Sequence, residues 1–354
     1  MHGMDSKIEE KERRAVMPGE KNLTAIGAGE IWTPTSLKEI DFTDLGFSES
    51  GEAWLKNVEG EEEPIVGVPE TMLHDLHILH QKVCKRGQSE EEFFQDYDGM
   101  RFRVARIDSV GGRWFMLRRG MANIPRLASL KGIPQKVIQY LGRVAMPPSG
   151  HGLIIVSGAT TAGKTTTACS LLQEYLLNFG DIAVTVEDPP ELPLDGPHGK
   201  SGHCFQTSVI DGDFGRAMKL TMRRSPRYIL LGEVRGPVEA NAAIRAANNG
   251  HVVITTIHAG SCIEALNSML KLLSGENMDL ARTMLADGLA GVLHQSLIKL
   301  KGSRQIKVEY LFPGKGQAVR SLIRTGKTEQ LSTAISNQAA RVLQDMLPVD
   351  DSGR

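Results

Sequence analysis

The stretch that most restricts this chain is Gly158-Ala159-Thr160-Thr161-Ala162-Gly163-Lys164-Thr165, which fits the pattern G-x-x-x-x-G-K-[ST]. Before it runs Leu153-Ile154-Ile155-Val156-Ser157, apolar and β-branched, which reads as a buried strand. After it, Ala168, Leu171, Leu172, Tyr175, Leu176 and Phe179 recur at helical spacing. A strand, a glycine-rich turn and a helix in that order predict a phosphate-binding loop. Gly158 and Gly163 let the backbone turn its N–H groups inward, and the helix start adds partial positive charge. Residues 158–166, Thr166 included, are therefore the candidate nucleotide-binding set. Lys164 is placed for the β- and γ-phosphates, and the Thr165 hydroxyl for Mg²⁺. An ordinary glycine-rich turn has no need of Lys164, Thr165 and both flanks together.

Downstream, strands are expected at 182–186, 228–231 and 252–257. Helices are expected at 215–224, 238–248, 263–273 and 280–293. This alternation predicts a mainly parallel sheet covered on both faces, an α/β fold. In such sheets a ligand lies beyond the carboxyl ends of the strands, and the unusual polar residues fall there. The first end gives Glu187-Asp188-Pro189-Pro190-Glu191, acids that repel a nucleotide unless they hold a metal or take a proton. The second gives Gly232-Glu233-Val234-Arg235, an acid where a nucleotide hydrolase keeps the carboxylate that serves Mg²⁺ or polarises water. The third strand has His251 before it and His258 after it. His258 is either structural or has a γ-phosphate or relay role. Arg223, Arg224, Arg227 and Arg235 are expected around Glu233, to balance the acids or to stabilise a phosphoryl group in transfer.

Upstream, residues 1–40 read as a mobile tail and 41–130 as a small α+β domain. A linker is expected at 131–150 with a short helix at 137–144, then a second domain with C-terminal helices at 151–354. A helix at 70–86 puts Leu73, Leu76, Leu79 and Val83 on one face. Its His74, His77 and His80 recur every third residue, which suits a polar face better than a metal site. In 100–107, Arg101 and Arg103 alternate with Phe102 and Val104; Gly111-Gly112 then turns the chain into a second strand ending on Arg118-Arg119. Read alone, these arginines are a solvated sheet face. The chain of 354 residues suits two domains, and a net charge of -1 argues against a nucleic-acid or lipid-binding surface. The first twenty residues are polar, unlike a signal peptide. Cys84, Cys169, Cys204 and Cys262 are scattered, so neither a zinc nor a disulfide framework is expected, and a reducing cytoplasm is the natural setting.

Taken together, residues from about 95 to 340 resemble the type II/type IV secretion and pilus-motor ATPases. Residues 158–165 look like the Walker A loop of that superfamily and 186–191 like its acidic box. Residues 231–235 look like its Walker B segment, 250–258 like its histidine box, and Arg101–Val104 with Leu117–Arg119 like its arginine hairpin. Residues 318–324 look like the C-terminal helix of the pilus-retraction branch, and the missing cysteine tetrad departs from the extension branch. Conjugation and Dot/Icm-like type IVB ATPases share that core, and the usual opening segment of the retraction motors is absent here. Gly236, Ala259 and Ser296 also depart from the family pattern.

The resemblance implies a RecA-like P-loop NTPase core with a smaller PAS-like N-terminal domain. It implies a cytoplasmic homo-hexamer that hydrolyses ATP with Mg²⁺. The ring would work on the inner-membrane components of a secretion, conjugation or pilus apparatus, peripheral to that membrane. Lys164 and the loop amides would hold phosphates, Thr165 and Glu233 would serve Mg²⁺, and Glu191 would activate water, with Glu187 next in line. Arg103, Arg118 and Arg235 would approach the nucleotide. Two rivals are a nucleic-acid motor and a non-hydrolysing assembly module. The first wants a basic, aromatic track that the composition lacks, so stable nucleic-acid binding is not expected. The second would be expected to have lost one of Glu187, Glu191 and Glu233.

Overall fold

The computed structural model describes residues 36–121, 123–148, 150–209, 212–275, 277–300, 303–314 and 316–349. The tail expected at 1–40 lies outside them up to residue 35. Residues 36–40 are built into a core instead, with Leu37 and Ile40 almost fully buried. Two compact units divide at residue 122.

The first unit is an antiparallel sheet with one long helix. Its elements are β1 (Asp44–Ser48), β2 (Ala53–Lys56), β3 (Ile65–Gly67), α1 (Leu73–Arg86), β4 (Glu92–Tyr97), β5 (Met100–Ser109) and β6 (Gly112–Arg119). The strand order is β3-β2-β1-β6-β5-β4. Period-two alternation buries Phe102, Val104, Phe115 and Leu117 and turns the arginines between them outward. Leu76, Leu79 and Val83 of α1 cover the buried face. A short 3-10 turn at Glu70–Met72 opens the helix expected over 70–86.

The second unit contains α2 (Gln135–Val144), β7 (Gly152–Ser157), α3 (Lys164–Phe179), β8 (Asp181–Glu187), β9 (Gly196–His198) and β10 (Gly202–Ser208). There follow α4 (Phe214–Met222), β11 (Tyr228–Leu231), α5 (Pro237–Asn248), β12 (Val252–Ile257), α6 (Cys262–Ser274) and α7 (Met278–Gly288). The unit closes with β13 (Leu289–Leu300), β14 (Ser303–Leu311), α8 (Gln317–Arg324) and α9 (Leu331–Leu343). Its sheet runs β14-β13-β7-β12-β11-β8-β10-β9. The inner six strands are parallel, and β14 and β9 pair antiparallel at the two edges. Leu153 and Ile155 of β7 face the core under α5, α6 and α7; Ile154 and Val156 face the core under α2 and α3. Both faces are covered, as a parallel sheet requires.

Two expectations are corrected here. The helix placed at 280–293 stops at Gly288, and Leu289 begins the twelve-residue strand β13, which pairs with β7 on one side and β14 on the other. The segment 131–150 is no free linker: Ile133, Val137, Tyr140, Leu141 and Ala145 are buried in the core beside α3.

Candidate nucleotide site

Strands β7, β12, β11 and β8 run parallel, so their carboxyl ends meet at one edge of the sheet. Ser157 lies beside Ile257, and Leu231 lies between Thr255 and Val186. β13 flanks β7 on its other side, with His294 beside Ser157. Parallel pairing therefore gathers residues that the chain separates widely.

The loop after β7 uses left-handed backbone at Thr161 (φ 64°) and Gly163 (φ 82°). A Cβ on Gly158 would lie 2.3 Å from the Gln295 carbonyl oxygen, so close approach to β13 demands glycine there. Gln295 is fully buried, and its Nε2 donates to the Ala162 carbonyl at 2.6 Å. Its Oε1 is buried without a hydrogen-bond partner. Ser157 Oγ and His294 Nδ1 are 3.3 Å apart. The loop is thus held by β13 as well as β7, a support 133 positions downstream that the sequence reading missed. No local pattern could have marked it.

Asp213, Ser261 and Asn277 cap the N-termini of α4, α6 and α7 with their side chains. The N-terminus of α3 has no capping side chain. Its first-turn N–H groups, at Lys164, Thr165 and Thr166, are left for another acceptor, and an anion fits them. Lys164 is only 8% exposed. Its Nζ folds back to donate to the Ala159 carbonyl at 2.9 Å and lies 3.4 Å from His258 Nδ1. Burial pushes this ammonium below the ordinary lysine value, while Glu233 and Glu191 act the other way. A buried cation resting on one carbonyl suits an incoming phosphate.

His258 Nε2 is 2.9 Å from Glu233 Oε1, and Arg235 Nε donates to Glu233 Oε2 at 2.7 Å. An ammonium can only donate, so His258 Nδ1 accepts from Lys164 and Nε2 carries the hydrogen toward Glu233. Arg235, Glu233, His258 and Lys164 form one continuous chain of contacts across three strand ends. Glu187 is buried (2% exposed), and burial pushes its carboxyl above the usual range. It accepts from Gln206 Nε2 at 3.0 Å, and the nearby Thr185 hydroxyl and Glu191 N–H act against the burial by favouring its charge. Glu191 is exposed and close enough to Lys164 to favour its charge. The three acids therefore sit in three different settings: buried, paired and open.

The arginine cluster expected around Glu233 is corrected. Only Arg235 reaches that acid. Arg223 and Arg224 follow α4 and Arg227 precedes β11, so β11 itself separates them from Glu233 at its other end. Arg227 donates to the Ala145 carbonyl at 3.2 Å and lies over the Tyr228 ring. In the first unit, Arg103 and Arg118 stand directly opposite each other across β5 and β6. Each is held by its own acid, Glu92 at 3.0 Å and Asp44 at 2.9 Å, and Arg101 by Asp96 at 2.8 Å. Of the α1 histidines, His80 lies against the Phe47 ring and contacts the Ser48 carbonyl at 3.0 Å, His77 contacts Gln81 and His74 is exposed. No cluster of three or more His, Cys, Asp or Glu that could hold a metal occurs among the described residues.

The family model described as "Type II/IV secretion system protein" matches residues 87–350. The type IV pilus retractation ATPase PilT of Pseudomonas aeruginosa is 31% identical over 232 residues, 62% of this chain and 65% of that protein. The protein transport protein HofB homolog of Escherichia coli is 30% identical over 229 residues, 64% of this chain and 46% of that protein. The chain thus spans from under half to about two thirds of the length of these relatives. The crystal structure of the pilus retraction motor PilT with bound ADP superimposes with a TM-score of 0.68 at 26% identity, over 84% of this chain and 86% of that one. The Legionella pneumophila ATPase DotB shares the fold, with a TM-score of 0.64 at 22% identity over 86% and 84%. With that family model covering the larger part of its length, including the loop and every strand end that feeds the site, this chain belongs to the type II/IV secretion system protein family.

Proposed function

We propose that this protein hydrolyses ATP and couples the hydrolysis to a type IV secretion, conjugative transfer or pilus machine, as a homo-hexameric ring. One observation carries the reading. An uncapped helix start is joined to a buried lysine folded onto its own loop, beside a histidine and an acid. PilT, whose crystal structure holds ADP, lends support through its similarity in sequence and fold. The strand order of the first unit supports a PAS-like reading, and the second unit a RecA-like one.

Residues 158–166 would receive the phosphates, with Lys164 exchanging the Ala159 carbonyl for phosphate oxygens. Thr165 and Glu233, both hard oxygen donors, suit Mg²⁺. Glu233 has one contact on each oxygen, from His258 and Arg235, and each oxygen keeps a further lone pair with which it would hold the metal. When bound, Mg²⁺ neutralises charge on the β- and γ-phosphate oxygens. Glu191, the exposed acid, would activate water; Glu187 would hold the loop that carries it. Arg103 and Arg118 remain candidates for contact with the nucleotide. Retraction of a pilus is a second reading, favoured by the greater similarity to PilT than to DotB. The partners are inner-membrane components of the machine; among the described residues no helix is long and apolar enough to cross a membrane.

The test is steady-state ATP hydrolysis by the purified protein beside Lys164→Ala. Phosphate release that falls to background in the variant is expected. Equal turnover by the two proteins would take the chemistry away from this loop.

A further inference from the structure

The acidic loop after β8 is held by a residue from the neighbouring strand, Gln206 of β10, which no motif marks. Its Nε2 donates twice, to Glu187 Oε1 at 3.0 Å and to the Leu192 carbonyl at 2.7 Å. Its Oε1 accepts from the Leu194 N–H at 3.2 Å. Its own N–H donates to Asp195 Oδ1 at 2.8 Å. One side chain thus ties the start of the loop at 187 to its far side at 192–194, and its backbone fixes 195. The Glu191 N–H lies near enough to the Glu187 carboxylate to favour its charge. Between these ties stands Glu191, whose side chain has no such anchor and is exposed.

We infer that Gln206 is a positioning residue for the hydrolytic step: it clips the loop 187–195 so that Glu191 is aimed at the phosphate end of the site. The inference rests on the reading of Glu191 as the water-activating acid. An amide suits the task better than a charged group. It supplies donors to a carboxylate and a carbonyl and an acceptor to an N–H at once, which neither lysine nor glutamate does. Gln206 touches no reacting atom in this scheme. Its effect passes through Glu191 alone, and that makes it separable from a packing role.

The experiment combines kinetics with amide exchange on the full chain. Gln206→Met keeps length and volume and removes all three side-chain hydrogen bonds; Gln206→Glu is the second variant, keeping an acceptor for Leu194 and losing both donors. Each is expected to bind an ATP analogue with a Kd within about threefold of the parent, which shows that it folds. Misplacing a reacting group by about an ångström costs up to ~10²-fold, so kcat is expected to fall by about that factor while KM stays. In Glu191→Gln the further change Gln206→Met should cost almost nothing, because the aimed group is gone. Losses that multiply in the double variant would make Gln206 a merely structural residue and overturn the inference. Hydrogen exchange supplies the arm independent of turnover: the Leu194 amide should exchange much faster in Gln206→Met while β11 and β12 stay protected. Unchanged exchange at Leu194 would show that the clip does not hold the loop. Should Glu191→Gln hydrolyse ATP like the parent, the assignment of the base fails by itself, and the exchange result alone decides whether Gln206 holds the loop.

Discussion

Lys164 illustrates how a single buried charge reveals its purpose. It is held by one backbone carbonyl and a histidine nitrogen, too little for an ammonium taken out of water. The neighbouring acids divide the remaining work by exposure. Glu191→Gln is expected to leave nucleotide binding intact and to lower turnover by ~10²–10⁴, the usual cost of a lost base. Glu233→Gln should instead make turnover depend more steeply on Mg²⁺ concentration. Rate against Mg²⁺ for the two variants separates them, and identical curves would contradict the division. Gln295→Leu leaves the Ala162 carbonyl buried without its donor, which costs about 1–3 kcal/mol of folding stability. A urea midpoint unchanged from the parent would mean that the loop does not rest on β13. Of these residues, Lys164, Glu191 and Glu233 were legible in the sequence because a motif fixes each against a strand end. Gln206 and Gln295 were not, since their partners lie on elements brought near only by the sheet.

Elements were legible where period and punctuation agreed. The strands at 228–231 and 252–257 come out at their expected bounds, because short apolar runs bracketed by Pro, Gly and charge have one reading. The segment 280–293 was misread because its apolar residues serve both periods; the backbone pairs with β7 and β14 decide for a strand from Leu289 onward. β9 and β10 were invisible: β9 has three residues, and in β10 Gly202, His203, Gln206 and Thr207 break up the apolar run. Arg320 shows what locks the misread junction. Its guanidinium donates to the carbonyls of Ala286, Asp287 and Leu289, where α7 turns into β13. Arg320→Ala is expected to destabilise the chain by about 1.5–3 kcal/mol, read from the denaturation midpoint, since hydrogen bonds to a charged group are lost together. The hairpin arginines should differ from one another. Alanine at Arg103 removes a largely exposed pair and should shift stability by less than about 0.5 kcal/mol, whereas alanine at Arg118 leaves the buried Asp44 carboxylate without its cation and should cost about 1–3 kcal/mol. Lower hydrolysis by a folded variant would place one of them at the nucleotide; full activity in both would leave neither there.

For the whole molecule the proposed ring makes a prediction of its own. If a neighbouring subunit completes the phosphoryl-transfer site, activity per chain rises with protein concentration and then levels off. A non-hydrolysable ATP analogue should promote assembly by mass action. Light scattering during size-exclusion chromatography reads both, and a strict monomer with concentration-independent turnover would remove the ring. The fold class was legible from the order of strands and helices. The way the chain closes on itself was not, and it has a consequence for anyone who cuts this gene. A fragment ending at residue 288 would carry the complete loop motif, both acidic strand ends and His258. It would lack β13, and with it the neighbour of β7 and the amide beneath Ala162. Such a piece would be recognised by any search for the motif and, on the proposed function, is expected to lose its hold on a nucleotide. The signature and the site end at different places in this chain.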